Sequence, residues 1–232
     1  MEKYGLTKEQ IAKVSVKNHD HGALNPYSQY RNRVTLDEVL ASRMIADPIT
    51  LLMTCPMGDG AAAVLLGSER VLSRVNKTAI RVASTVLQTA KISKIGDISI
   101  VERTAKEAYQ KAGIHPKDIQ VAEVHDAVAP IELLLYEQLG FCNPGESGHW
   151  IDEGVTWIGG MLPVNPSGGL SSKGHPAGAT GLAQIAELVW QLRGEAGDRQ
   201  VRPVPKVALA ENGGGNVGGE TAALAIHILV RE

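Results

Sequence analysis

Three short segments gather the residues able to move protons or to steady developing negative charge. Residues 165–181 read Asn-Pro-Ser-Gly-Gly-Leu-Ser-Ser-Lys-Gly-His-Pro-Ala-Gly-Ala-Thr-Gly. Glycines at this density let a backbone adopt positive φ and approach a ligand closely. His175, set between Gly174 and Pro176, is therefore placed by the backbone, as a catalytic base or oxyanion donor is. Glu123-Val124-His125-Asp126-Ala127 supplies a second imidazole beside a carboxylate. Glu211-Asn212-Gly213-Gly214-Gly215-Asn216-Val217-Gly218-Gly219 is the third polar, Gly-rich loop, between the last two expected strands. Blander readings stand beside these. His125-Asp126 also suits a surface turn with Asp126 capping the next helix, and the last Gly-rich run also suits a hairpin.

Other chemistries find less support. No Gly-Lys-Ser/Thr follows any Gly-rich run, which excludes a phosphate-cradling loop. His125, Asp126 and His175 lack the spacing of paired metal ligands. His19-Asp20-His21 reads as a solvated polar tract, so no metal is assigned. Cys55 and Cys142 form neither a disulfide framework nor a metal site, and read as small buried apolar side chains.

The elements that must position these loops alternate between helix and strand. Capping boxes at Thr7-Lys8-Glu9-Gln10 and Thr35-Leu36-Asp37-Glu38 open helices over about 7–18 and 35–46, with a polar loop over 18–33 between them. An extended crossing follows over 49–55, then a buried strand over 60–66. Strands are expected over 80–90, 120–125, 207–211 and 221–230, and helices over 99–112, 129–139 and 178–193. Residues 141–162 read as a long functional loop. This alternation implies a layered α/β sheet, with candidate sites at the carboxyl ends of strands. A boundary near 68–78 divides residues 1–72 from residues 73–232; only the second part is long enough for a core of its own.

Composition narrows the function. The 232 residues are 44% hydrophobic and 21% charged, with a net charge of −2. That balance gives no electrostatic footing for nucleic acid or an anionic membrane. Aromatic residues are 4%, too few for base-stacking platforms. No apolar run spans a bilayer and no signal-peptide core opens the chain, so a reducing cytoplasm is the expected compartment.

Residues 165–169 and 174–181 closely resemble the Gly-His-Pro signature of thiolases. Leu139-Gly140-Phe141-Cys142-Asn143-Pro144-Gly145-Glu146, Gly159-Gly160-Met161-Leu162-Pro163-Val164, Asp59-Gly60-Ala61-Ala62-Ala63 and Asn25-Pro26 resemble the same family. The branch is similar to the sterol carrier protein-type thiolases, which carry a His-Asp-Cys-Phe-type loop where this chain has His125-Asp126-Ala127-Val128. The resemblance implies a layered α-β-α thiolase fold. Residues 73–232 would be the C-terminal thiolase domain. Residues 1–72 would be a loop-domain remnant with the last strand of the N-terminal half.

It also implies acyl transfer on coenzyme A thioesters, with the thioester as substrate and no further cofactor. His175 would activate a thiolate, and His125 would serve the oxyanion or acid/base region. Asn212 with the Gly213–Gly215 backbone would line the last catalytic loop, and Asp126, Asn165, Gly174, Gly213 and Gly214 would contact substrate. The expected partners are an acyl-CoA, a further copy of the chain or an N-terminal thiolase half, and a small protein with a zinc ribbon and an oligonucleotide-binding fold.

Two departures matter. The family's nucleophilic cysteine belongs to an N-terminal half with no counterpart here. Ala127 stands where the branch often has an acid/base cysteine, and Glu211-Asn212 replaces the Cys-x-Gly of ordinary thiolases. Three readings follow: one part of a split acyltransferase, a retro-aldolase acting on a hydroxyacyl-CoA, or an inactive assembly half.

Overall fold

The computed structural model describes residues 1–72, 74, 77–91 and 97–232; the expected boundary between 72 and 73 therefore abuts a residue outside the described set. Four strands form the central sheet: β3 (Ile80–Thr89), β4 (Val121–Glu123), β5 (Val207–Val217) and β6 (Glu220–Arg231). Their spatial order is β3-β6-β5-β4, antiparallel except for the parallel β4–β5 pair. Two shorter strands, β1 (Met44–Ala46) and β2 (Ile49–Thr50), pair with each other alone.

Alternation along β5 builds the layers. Leu209 points to a core that also holds Leu224, Ile226 and Ile228, under helices α1 (Lys8–Ala23), α4 (Ile100–Ala112) and α5 (Ala129–Gln138). Ala208 and Ala210 point to the opposite face, where Leu188 and Leu192 of α7 (Thr180–Arg193) close a second core. Residues two apart on a strand share a face, so one strand feeds both cores. The result is the layered α-β-α arrangement expected from the sequence.

Local chemistry sets several helix ends. Thr7, Thr35 and Ser99 each accept the N–H three residues on while Gln10, Glu38 and Glu102 reach back, giving three reciprocal caps. Gly113 ends α4 at φ 67° and Gly194 ends α7 at φ 74°, a left-handed geometry that glycine adopts without strain.

Several expectations are corrected. α1 runs to Ala23 rather than 18, because His19 and His21 are 1% and 2% exposed and pack inward instead of being solvated. α2 (Leu36–Ala41) stops short of 46, where the chain has already become β1. The stretch 141–162 is not all loop; it contains α6 (Ser147–Asp152). The last Gly-rich run is a hairpin, with β5 and β6 continuing to the turn at Gly218-Gly219.

The largest correction concerns 60–66, expected as a buried strand. It is neither paired nor buried: Leu65 is 95% and Leu66 78% exposed. Among the described residues, no backbone hydrogen bond is made by 58–67. The residue types suit a strand interior, but among the described residues no strand pairs with it.

Candidate active site

His125 and His175 come together. Their rings lie 4.9 Å apart at 87°, an edge-to-face contact. β4 ends at Glu123 and delivers His125 two residues later; the turn before α7 delivers His175. The segment after β2 crosses both loops. Thr54 bridges Val128, the Cys55 N–H reaches the Ala127 carbonyl at 3.0 Å, and Met57 bridges His175.

The hydrogen bonds assign different protons to the two rings. Thr180 donates its hydroxyl to the Pro176 carbonyl at 3.1 Å, so it accepts from His175 Nδ1 at 2.8 Å. That leaves His175 Nε2 as a free base. Asn212 Nδ2 donates to His125 Nδ1 at 3.1 Å, which puts the His125 proton on Nε2, an electrophilic donor. One imidazole is thus arranged to take a proton and its neighbour to offer one. Burial, aided by the charge of Lys173, lowers the pKa of His175; burial, the neighbouring His175 and Lys173 lower that of His125 to about 4. Both rings are neutral at physiological pH, as proton exchange at these nitrogens requires.

β5 holds His125 from two sides. Glu211 and Asn212 are consecutive and face opposite sides of the sheet. Glu211 accepts the His125 backbone N–H at 2.9 Å while Asn212 engages the ring. Burial pushes the Glu211 carboxyl up to about 7. Gly213 is close-packed, since a Cβ there would sit 2.8 Å from Thr221; Gly214 is exposed with open space around it. Gly174, at φ 99°, would clash with Gln29 if it bore a side chain.

Asp126 and Asn165, expected to contact substrate, are 1% and 0% exposed and act beneath the site instead. Asp126 does not cap α5, whose N-cap is Val128 without a side-chain bond. Its carboxyl accepts the Leu170 N–H at 2.8 Å and Asn18 Nδ2 at 2.7 Å, tying the His125 loop to the His175 loop. Asn165, at φ 55°, accepts the Val124 N–H at 2.8 Å and donates to Glu132 at 2.7 Å. Glu132 also receives Lys17, Asn18 and Tyr136, forming a buried hub. Burial and the nearby Glu132 raise the Asp126 pKa well above the usual carboxyl range.

α1 is the clamp behind both loops. His21 Nδ1 donates to the Asn165 carbonyl and its Nε2 accepts the Ile158 N–H, each at 3.0 Å; burial lowers this ring to about 3. Gly22 lets the 169–173 turn approach, for a Cβ there would fall 2.0 Å from Ser172 Oγ.

Neither cysteine is an activated nucleophile. Burial and Asp126 push the half-buried Cys55 thiol up, and burial with Glu137 and Glu146 pushes Cys142 to about 12. Among the described residues no cluster of three metal-ligating side chains occurs, and no helix is long and apolar enough to cross a membrane.

Lys17, Asn18, Glu132, Thr180 and Gln184 escaped the sequence reading. The first three are polar residues on faces that look solvated until the loops fold over them. For the last two a signal existed: positions four apart on a helix share a face, which places both beside the histidines.

A fold with these three loops at its strand ends is that of the C-terminal thiolase domain. Residues 83–229 match the family described as "Thiolase C-terminal domain-like", and the chain belongs to the thiolase superfamily. Within it, the chain is similar to the sterol carrier protein-type branch. It is 47% identical over 222 residues to Sterol carrier protein 2 of Oryctolagus cuniculus, covering 91% of this chain and 40% of that protein. It is 42% identical over 236 residues to an acetyl-CoA acetyltransferase of Methanothermobacter thermautotrophicus, covering 100% of this chain and 60% of the relative. The solved Ltp2-ChsH2(DUF35) aldolase superposes with a TM-score of 0.85 at 26% identity, over 100% of this chain and 60% of that one. The chain thus spans between two fifths and three fifths of these relatives.

Proposed function

We propose that this chain supplies the acid/base and oxyanion part of a thiolase-like acyltransferase acting on coenzyme A thioesters, and that a second polypeptide segment supplies the cysteine nucleophile. The observation that carries this is the complementary pair His175, with a free Nε2 base, and His125, with an Nε2 donor, beside no activated thiol. His175 Nε2 takes the thiol proton of the incoming cysteine. The His125 Nε2–H steadies the negative oxygen that forms when the thiolate attacks the thioester carbonyl or when the second acyl group is enolised. Asn212 fixes the His125 proton, and Gly213 and Gly214 follow it in the β5–β6 ladder.

The unpaired 58–67 segment favours a partner that adds strands to it. A cleft of about 410 Å³ between residues 58–62 and 176–179 opens beside His175 and leaves room for an incoming backbone. A multi-chain assembly agrees with the paired name of the Ltp2-ChsH2 aldolase, and a zinc-ribbon companion is the further partner we propose. Two free cysteines suit a reducing, cytoplasmic setting. The test is coenzyme A release from acetyl-CoA by the chain alone and with a cysteine-bearing N-terminal thiolase half. Activity only in the mixture supports the proposal; none in either rejects it.

A second reading is retro-aldol cleavage of a β-hydroxyacyl-CoA, which needs a base and an enolate donor but no thiolate. The absence of an activated thiol and the likeness to an aldolase favour it. Ketone release from a hydroxyacyl-CoA, undiminished when the partner's cysteine is replaced by alanine, would select this reading over acyl transfer.

A further inference from the structure

Behind His125 lies a side chain with one amide group too few partners. Gln184, on the second turn of α7, is fully buried. Its Oε1 accepts Asn212 Nδ2 at 3.1 Å, and the same Asn212 nitrogen donates to His125 Nδ1 at 3.1 Å. Gln184 Nε2 has no partner among the described residues. An unpaired buried donor is costly, and folded proteins seldom keep one without a reason.

The chain of amides has two self-consistent settings on one set of heavy-atom positions. In the observed setting Gln184 accepts, Asn212 donates to both neighbours, and His125 carries its proton on Nε2. With both amides turned over, Gln184 Nε2 donates to Asn212 Oδ1, which also accepts from His125 Nδ1–H. His125 Nε2 is then a bare lone pair. The second setting satisfies the Gln184 donor and leaves Gln184 Oε1 without a partner instead, and it converts His125 from an oxyanion donor to a second base beside His175.

We propose that Gln184 is a positioning residue which, through Asn212, selects the ring nitrogen of His125 that carries the proton. Its carbonyl holds the Asn212 amide with both hydrogens presented, while its Nε2 has no partner among the described residues. Neutral imidazole shifts readily between tautomers, so the neighbouring partner decides. The charged and titratable neighbours of His125 are Lys173, His175 and Glu211, the last bonded to its backbone N–H. None bonds to His125 Nδ1 among the described residues, which leaves the choice to Asn212.

This rests on the reading of His125 as an oxyanion donor, but its test reads the ring and not the reaction. In ¹⁵N-labelled protein at pH 8, two-bond proton–nitrogen correlations identify the protonated nitrogen of each histidine. Wild type should show a single His125 tautomer with the proton on Nε2. Gln184→Glu should keep it, since a carboxylate can only accept from Asn212. Gln184→Leu should give a mixed population with the two nitrogen shifts drawn together, and Asn212→Asp should move the proton to Nδ1. His175, held by Thr180, should be unchanged throughout, which certifies the fold. A wild-type pattern retained in Gln184→Leu, or a proton still on Nε2 in Asn212→Asp, overturns the proposal. Loss of acyl transfer with the tautomers as expected would count against the proposed function alone.

Discussion

The buried hub under the two histidine loops predicts an asymmetric response to removal of its charges. Lys17 and Glu132 form an ion pair with both side chains 0% exposed, and Asp126 lies close by. Two carboxyls thus share one ammonium, and Asp126 is the one whose charge is suppressed. Replacing Lys17 by Met leaves the carboxyls without a cation, and breaking such a buried pair costs roughly 3–5 kcal/mol. Glu132→Gln is milder, because Asp126 is freed to ionise and balance Lys17. What remains is the changed hydrogen bonding to Tyr136, Asn18 and Asn165, about 1–3 kcal/mol. In Lys17→Met/Glu132→Gln both charges go together, and most of the Lys17→Met loss should be recovered. Domains of this kind are stable by about 5–15 kcal/mol, so a loss of this size takes a large share of the total and is readily detected. Urea unfolding at pH 7, with unchanged slopes, gives the three differences. Equal losses for the two single variants, adding in the double, would refute the shared-charge account.

Other consequences follow from the same geometry. Glu211 has its carboxyl raised from 4.5 to about 7, so the folded state binds the extra proton between those values. The contribution of Glu211 to stability therefore falls as pH rises from 4.5 through 7, by about 3 kcal/mol at about 1.4 kcal/mol for each unit, against the opposite trend from the buried histidines. Glu211→Gln should remove that decline while keeping an acceptor for His125; parallel pH–stability curves for the two proteins would contradict it. Thr180→Val should cost His175 its acceptor, slowing any reaction of the assembled site about tenfold, with Thr180→Ser restoring most of it; equal rates for Val and Ser variants would remove Thr180 from the account. Gly168→Ala, at φ 103° with a Cβ 2.7 Å from Gly22, should lose about 1–3 kcal/mol more than Gly178→Ala, where nothing lies within 4 Å. Thermal melts of the pair decide that comparison.

Much of the architecture was legible because it is written locally. Two capping boxes and the glycine after α4 fix helix ends through contacts within a few residues, and the strands read at 80–90 and 221–230 carry through. Failures came where distant partners decide. His19 and His21 look solvated in sequence, yet Asn32, Asn165 and Ile158 take them inward. The apolar run at 60–66 looks buried, yet among the described residues no strand pairs with it, and Leu65 and Leu66 stay exposed. At the site, glycine density and Gly-His-Pro located His175, and the His-Asp pair located His125. The sequence could not say that Asp126 turns down into the core, because that choice belongs to Asn18 and the Leu170 N–H.

The central claim is that His175 serves a thiolate brought by another segment. Mass spectrometry of the chain mixed with a cysteine-bearing N-terminal thiolase half and acetyl-CoA tests it most directly. The account predicts an acetyl group on the partner's cysteine, none on Cys55 or Cys142, and its near disappearance with His175→Ala. An adduct on Cys55, or an acetylated partner indifferent to His175, would contradict it.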